Sequence, residues 1–359
     1  MKINPGLRVA ARDTRTLQIG MGPGGVILEG LTAADLAFVG LLRRGTGSAA
    51  TPETAALAAL ERTRAEEIVR SLSPVLFDDS TPLALPGYRG ERLAGETALA
   101  AAVYGIPAQD LVSARRRCVL RLVGLGRTGA ALAQVLVCAG IGTLLLEDGR
   151  AVLPADVGPG AFKMTDIGMN RAAAVRRHLR SLDSACQSHV VRSLPEDGTC
   201  PQTVDLVIYT GRDAVDQDGL AQLMSCDHPH LVVLQREQDA TIGPLVVPGE
   251  TACGECVERY RAEVDAQWPR LCAELGNPGQ DWQVPSEESS MALCVAGSAA
   301  RQALVFLDGV NRPASWSAVL TFRASDGIWL HRRYARHPDC SCQFQRQLEV
   351  ADPAALEAY

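Results

Sequence analysis

The stretch VLRLVGLGRTGAALAQVLVCAGIGTLLLED, residues 119–148, decides the fold. It opens on a short apolar run. Gly124, Gly126 and Gly129 then follow in a GxGxxG spacing, and a helix-length apolar segment leads through Gly140 and Gly142 into TLLLE. A strand, a glycine turn, a helix and a second strand in thirty residues begin a βαβ unit. In that context the glycines allow a tight turn, let the backbone approach a phosphate closely, and aim a helix N-terminus at an anion. Glu147 and Asp148 fall about where a ribose-binding acid would stand. A turn that packs well and binds nothing has the same spacing. Residues 130–146 are the longest apolar run, but Gln134 and two glycines interrupt it. We read it as a helix, a turn and a strand, not a membrane span.

Downstream the rhythm continues. MNRAAAVRRHLRSLD reads as a basic-faced helix, VDLVIYT and HLVVLQ as buried strands, and WSAVLTFRASDGIWLHRRYARH as a hairpin turning at ASDG. Residues 115–359 are therefore expected to form an α/β domain, a Rossmann-like, mostly parallel sheet with helices on both faces. Upstream, LRVAARDTRTLQIGM and GGVILEGL read as short strands. LTAADLAFVGLLRRG reads as a helix with Thr32 as N-cap and Gly45 or Gly47 at its end. TPETAALAALERTRAEEIVRSL adds one or two helices, with Pro52 near a first turn. Residues 1–80 are thus expected to be a small winged-helix-like α+β domain. A linker and bridging helix over 81–114 join the two.

Composition narrows the function classes. The chain has 359 residues, 47% of them hydrophobic and 21% charged, as an ordinary core-forming protein does. A net charge of −6 disfavours a coat for phosphate backbones, and 4% aromatics disfavours a stacking platform for single strands. No nucleic-acid and no membrane partner is expected. The N-terminus MKINPGLRVAARD lacks a signal-peptide run, so a cytoplasmic chain with reduced thiols is expected. The eleven cysteines then read as metal ligands or small buried hydrophobes. Cys272 and Cys294 are read as the latter. PSEESS, residues 285–290, is read as a crossover loop or helix cap with no catalytic role.

Several of these motifs together resemble the ThiF/MoeB family, relatives of ubiquitin-activating enzymes. They are the glycine loop, the acid after the second strand, DIGMNRAAAVRRHL, and the cysteine pairs around Cys253 and Cys340. The resemblance runs from about residue 115 to the end. It implies ATP binding on a Rossmann-like sheet, adenylation of a C-terminal carboxylate, a homodimer and a structural zinc. IGPLVVPGETACGEC, DAQWPRL and HPDCSCQ are similar to the ThiF-like proteins that accompany YcaO-type cyclodehydratases in azole- and azoline-forming peptide pathways. LTAADLAFVGLLRRG is similar to the first helix of PqqD-like domains, which bind a leader peptide as an added strand.

The resemblance also exposes departures. Laid on EDGRAVLPADVGPG, the family pattern puts Asp148 at the first acid but Arg150 at the second, Asp156 at an asparagine and Pro159 at an arginine. Arg171 matches the lysine of the following helix. Arg212 falls where a metal-binding aspartate is expected, with Asp213 beside it; a one-residue shift would restore that acid. Arginine cannot ligate magnesium. The expectation is a vestigial or weak nucleotide site built from Gly124, Gly126, Gly129, Glu147, Asp148, Arg171 and Asp213, with ATP and magnesium in doubt. Arg150 and Arg212 pointing idly to solvent is the bland alternative.

Cys253 and Cys256 form CxxC, and Cys340 and Cys342 form CxC. Four thiolates in a tetrahedron select zinc and leave no open position, so a structural site tying the sheet to the hairpin is expected. CxxC alone would also suit a redox pair. His331 and His337 are expected as flanking groups, not ligands. The functional expectation is a non-catalytic, leader-peptide-binding partner of a YcaO-type cyclodehydratase. The alternatives are an ATP-dependent enzyme adenylating a peptide carboxylate and an NAD-dependent oxidoreductase.

Overall fold

The computed structural model describes residues 1–22, 24–47, 51–78, 87–191, 204–215, 217–275 and 287–343. It divides into two compact units, Met1–Ala114 and Arg115–Tyr359. The end of the expected first domain (79–80), the start of the expected linker (81–86) and the first two residues of PSEESS lie outside the described residues.

In the first unit, β1 (Lys2–Ile3) pairs with β5 (Leu76–Phe77), and β2 (Val9–Asp13), β3 (Thr16–Ile19) and β4 (Val26–Leu28) form an antiparallel sheet in that order. Between them run α1 (Ala33–Arg44), α2 (Thr51–Leu57) and α3 (Arg62–Leu72). Thr32 caps α1 as expected. Its hydroxyl accepts from the Asp35 amide, and Asp35 accepts in return from the Thr32 amide, satisfying two donors that the first turn leaves open. Gly45 ends the helix at φ 98°, a conformation a side chain resists. Ile19, Leu28, Phe38, Leu42, Ile68 and Leu72 close the core. The expected bridging segment forms α4 (Gly87–Arg92), α5 (Ala94–Tyr104) and α6 (Gln109–Ala114). These pack a second small core around Leu93, Ala100 and Val112 and group with the first unit.

The second unit is built on one eight-stranded sheet. Its strands are β6 (Val119–Val123), β7 (Thr143–Glu147), β8 (Gln187–Val190), β9 (Leu206–Arg212), β10 (His230–Gln235), β11 (Asp239–Val246), β12 (Ala318–Arg323) and β13 (Ile328–Arg333). The order is β13-β12-β11-β10-β9-β6-β7-β8; β10 through β8 run parallel, and β11, β12 and β13 extend the sheet antiparallel. Alternation explains the near-continuous apolar runs. Leu120, Leu122, Leu144, Leu146, Leu206 and Ile208 face one core, while Leu145, Val207, Val232 and Leu234 face the other. Helices α7 (Arg127–Cys138), α8 (Arg171–Leu182) and α12 (Ser289–Asp308) supply the first core; α9 (Gln217–Ser225) supplies Leu220 and Leu223 to the second. Helices α10 (Gly254–Val264) and α11 (Trp268–Leu275) complete the unit. Among the described residues α12 alone is long and apolar enough to cross a membrane, and its Val295, Ala299 and Ala303 are buried in the core with α7.

The expected hairpin is present, with Ala318 to Arg323 paired against Ile328 to Arg333. Cys272 is buried, as expected. Cys294, expected buried, is exposed on α12 because its position in the helical period faces away from the sheet.

Candidate nucleotide and metal sites

Parallel strands place their carboxyl ends together, so Val123, Glu147 and Arg212 bring the glycine turn, Asp148 and Asp213 to one edge of the sheet. Gly124 turns at φ 82°, where a Cβ would lie 2.1 Å from the Thr210 carbonyl oxygen. A Cβ at Gly129 would lie 2.2 Å from the Gly124 oxygen. Both glycines are thus required by close backbone approach. The Thr210 hydroxyl donates to that same Gly124 carbonyl at 2.5 Å, closing the turn on β9. Gly126 is the N-cap of α7 and offers no side chain to the open amides of the first turn.

Asp148 hangs beneath this turn. Its Oδ2 accepts the Leu125 amide at 2.8 Å, so the acid and the glycine loop are one unit. The carboxylate is also clasped by Arg150, whose Nε and Nη2 donate at 3.0 and 2.9 Å, and Arg171 approaches at 3.5 Å. Burial raises the Asp148 pKa, but Arg150 and the Leu125 and Arg150 amides outweigh it and hold the carboxyl below its usual range. Arg150 therefore does not point idly away, although its side chain is 65% exposed. Arg171, the first residue of α8, is buried and forms a forked pair with buried Asp156 at 2.7 Å. Asp156 also accepts the Leu153 amide. Two of the family-pattern departures, Arg150 and Asp156, thus complete a charge-balanced set with Asp148 and Arg171.

The other expected site residues are placed differently. Glu147 lies at the strand end but is held by Arg121 of β6, which donates to one of its oxygens at 2.5 and 2.9 Å. Asp213 sits past β9 at φ 56°, its amide bound to the Gln235 carbonyl. Among the described residues no hydrogen bond or ion pair joins its carboxylate to the glycine turn or to Asp148. Burial and then nearby Glu237 push its pKa up.

Sequence reasoning missed Glu287 and Arg127. Glu287 Oε2 accepts the Arg127 amide at 2.8 Å, and a Cβ at Gly126 would lie 2.9 Å from that oxygen. The Arg127 guanidinium donates to the Glu287 and Val157 carbonyls at 2.8 Å each. Both contacts span well over 20 residues, and no local spacing announces them.

At the other end of the unit, Cys253, Cys256, Cys340 and Cys342 are buried, with their sulfurs all within 4.8 Å of one another. The sulfurs lie 3.5 Å apart in Cys253–Cys340 and Cys256–Cys342 and 3.7 Å apart in Cys253–Cys256. A tetrahedral ion with metal–sulfur bonds near 2.3 Å spaces its sulfurs about 3.8 Å apart, so the cluster fits one such ion. Cys253 is the N-cap of α10, and Cys340 and Cys342 follow β13. The His337 amide donates to Cys256 Sγ at 3.3 Å, and its ring meets Glu263. His337 is thus a buried flanking group, while His331 is exposed and bonded to the Ala314 carbonyl. Glu255 accepts from Cys340 and Ser341 at the rim.

Comparison with known proteins follows the same architecture. The ThiF family model matches residues 99–223. The ATP-dependent ubiquitin transferase-like protein Cap2 of Pseudomonas aeruginosa is 28% identical over 207 residues, 54% of this chain and 37% of Cap2. Ubiquitin-like modifier-activating enzyme 5 of Arabidopsis thaliana is 29% identical over 169 residues, 39% of this chain and 38% of that enzyme. The chain thus matches less than two fifths of the length of these curated relatives. Among solved structures, E. coli MccB with AMPCPP and MccA superposes with a TM-score of 0.72 at 16% identity, covering 95% of this chain and 98% of MccB. PaaA superposes with a TM-score of 0.71 at 15% identity, covering 92% and 99%. Strand order, glycine turn and family match agree: this chain carries a ThiF family domain on a ThiF/MoeB-type α/β fold.

Proposed function

We propose that this protein is a leader-peptide-binding partner of a YcaO-type cyclodehydratase in ribosomal peptide modification, and that its nucleotide end no longer adenylates. The observation that carries the second half is the state of Asp148. Adenylation needs cations gathered around the departing pyrophosphate. Here the acid beneath the glycine turn is already taken by Arg150, Arg171 and the Leu125 amide, and Arg150 itself stands where the family pattern has a second acid. The first half is supported by the exposed edge strand β2, whose outer side pairs with no other strand among the described residues and suits an added peptide strand. It is supported also by the shared fold with MccB, solved with the peptide MccA. The cysteine quartet would hold one structural zinc, joining α10 to the segment after β13, with all four positions filled by protein. A homodimer and a cytoplasmic location complete the reading.

A second reading is an ATP-dependent enzyme that adenylates a peptide carboxylate. The intact glycine turn with Asp148 beneath it favours this, as does the shared fold with MccB solved with ATP. Two measurements on the full chain separate the readings. Titration calorimetry with the leader peptide encoded beside this chain should give saturable heat. Pyrophosphate exchange with ATP and the precursor should stay at background; robust exchange would overturn the first reading, and absent heat would remove the leader-binding part.

A further inference from the structure

We propose that Glu287 is a built-in competitor for the anion seat at the glycine turn: its carboxylate stands where a phosphoryl group would, and a phosphate-bearing ligand binds by displacing it. The twelve-residue helix α7 starts at a glycine that lends no side-chain cap, so its first amides need an outside acceptor. Such a terminus favours an anion through its dipole and its open N–H groups. The chain supplies one from 160 residues away. Glu287 Oε2 takes the Arg127 amide at 2.8 Å, and both carboxylate oxygens lie within 3.2 Å of where a Gly126 side chain would start. A side chain at position 126 would make the Glu287 carboxylate shift from this seat.

Among the described residues the Glu287 carboxylate makes no other hydrogen bond. Its neighbour Glu288 caps α12, accepting the Ser290 and Met291 amides, so the paired acids divide the work. Arg127 fixes the competitor in place by holding the Glu287 carbonyl, the Ser289 hydroxyl and the Val157 carbonyl together. The charges also close. Arg150 feels the fields of Asp148, Asp156 and Glu287, Arg171 bonds the first two, and the Arg127 guanidinium is taken up by the Glu287 and Val157 carbonyls. An arriving phosphoryl group would find this set balanced unless Glu287 leaves. This inference does not depend on the leader-peptide reading, since an adenylating enzyme would need the same displacement.

The test is calorimetric titration of the full chain with inorganic pyrophosphate and, separately, with ATP. Glu287→Ala empties the seat and leaves the Arg127 amide without its acceptor at the helix N-terminus, and loss of a charge-assisted bond at a helix end corresponds to about tenfold or more in affinity. Pyrophosphate should therefore bind Glu287→Ala at least about tenfold more tightly than wild type, with Glu287→Gln between them, because the amide keeps the acceptor and loses the charge. Glu66→Gln, which removes a carboxylate from the first unit, should behave as wild type. Tightening by both ligands assigns the seat to the phosphoryl group itself; tightening by ATP alone assigns it to a nucleotide phosphate. Equal affinity in wild type and Glu287→Ala for both ligands overturns the proposal. A readout free of mutation is the Arg127 amide resonance, which should move on saturating wild type with pyrophosphate; a stationary resonance with measurable binding would also overturn it.

Discussion

The two ends of the second unit handle charge in opposite ways. At the glycine turn, Asp148 and Asp156 are paired with Arg150 and Arg171, and Glu287 takes the Arg127 backbone amide, so each carboxylate finds a donor within the chain. At the cysteine end, four sulfurs crowd within 4.8 Å in a buried place, where the His337 amide and the rim acid Glu255 approach them. Thiolates gathered so closely repel one another unless a cation sits among them. One end pairs its carboxylates within the chain; the other gathers four sulfurs with the spacing of a single metal ion. A fold-level likeness to ATP-binding relatives does not distinguish these cases, because the fold positions the strand ends and side chains decide what the ends take.

The largest expected effect tests the cysteine end. Cys340→Ala should reduce bound zinc from about one equivalent to near none, because structural metal free energy, on the order of 10 kcal/mol in small domains, is folding free energy. Elemental analysis of the purified variant, with hydrogen exchange over β12 and β13, checks both the loss and the loosening. Full zinc retention would erase the contrast between the ends.

Next in size is the buried pair at the nucleotide end. Asp156→Ala strands buried Arg171 and should cost about 3–5 kcal/mol in urea unfolding. A cost below about 1 kcal/mol would mean that Asp148 alone satisfies Arg171.

His230 gives a smaller, pH-dependent effect near the middle of the sheet. It is fully buried at the start of β10, and burial lowers its pKa to about 4 despite the His228 carbonyl beside Nδ1. Between about 6.5 and 4 the unfolded chain takes up a proton that the folded chain refuses, so stability falls as pH falls through that window. From pH 7 to 5 the loss should be about 2 kcal/mol from this group, and His230→Phe should lack it. Equal acid sensitivity in wild type and variant would assign the loss elsewhere.

The smallest stability effect should come from Arg150→Ala. The guanidinium is mostly exposed, so its pairing with Asp148 is screened and the cost should stay under about 1 kcal/mol. The informative readout is magnesium-ATP affinity, which should rise as Asp148 is uncovered. An unchanged affinity would show that Arg150 is not what keeps the metal out.

What was legible in the residue string was what local geometry enforces. Gly124 and Gly129 had to be glycine because backbone atoms pass within 2.2 Å of their missing Cβ, and their spacing was visible. Thr32 announced its cap because both halves of the exchange lie within three residues. TLLLE reads as a strand from its apolar run alone, but the division of Leu144, Leu145 and Leu146 between two cores emerged with the helices. Arg150 was conspicuous by identity, yet nothing in its neighbours said whether it would clasp Asp148 or face solvent. Glu287 was invisible, since its partner lies 160 residues away.

The order of residues therefore settled the strand–turn–helix start, the α/β character and the two cysteine pairs, because each depends on backbone conformation or periodicity over a few positions. The folded chain alone settled that the pairs converge, that Asp148 is saturated, and that a glutamate seals the glycine turn. Those are contacts between distant segments, and their free energies depend on distances that no short window of sequence contains.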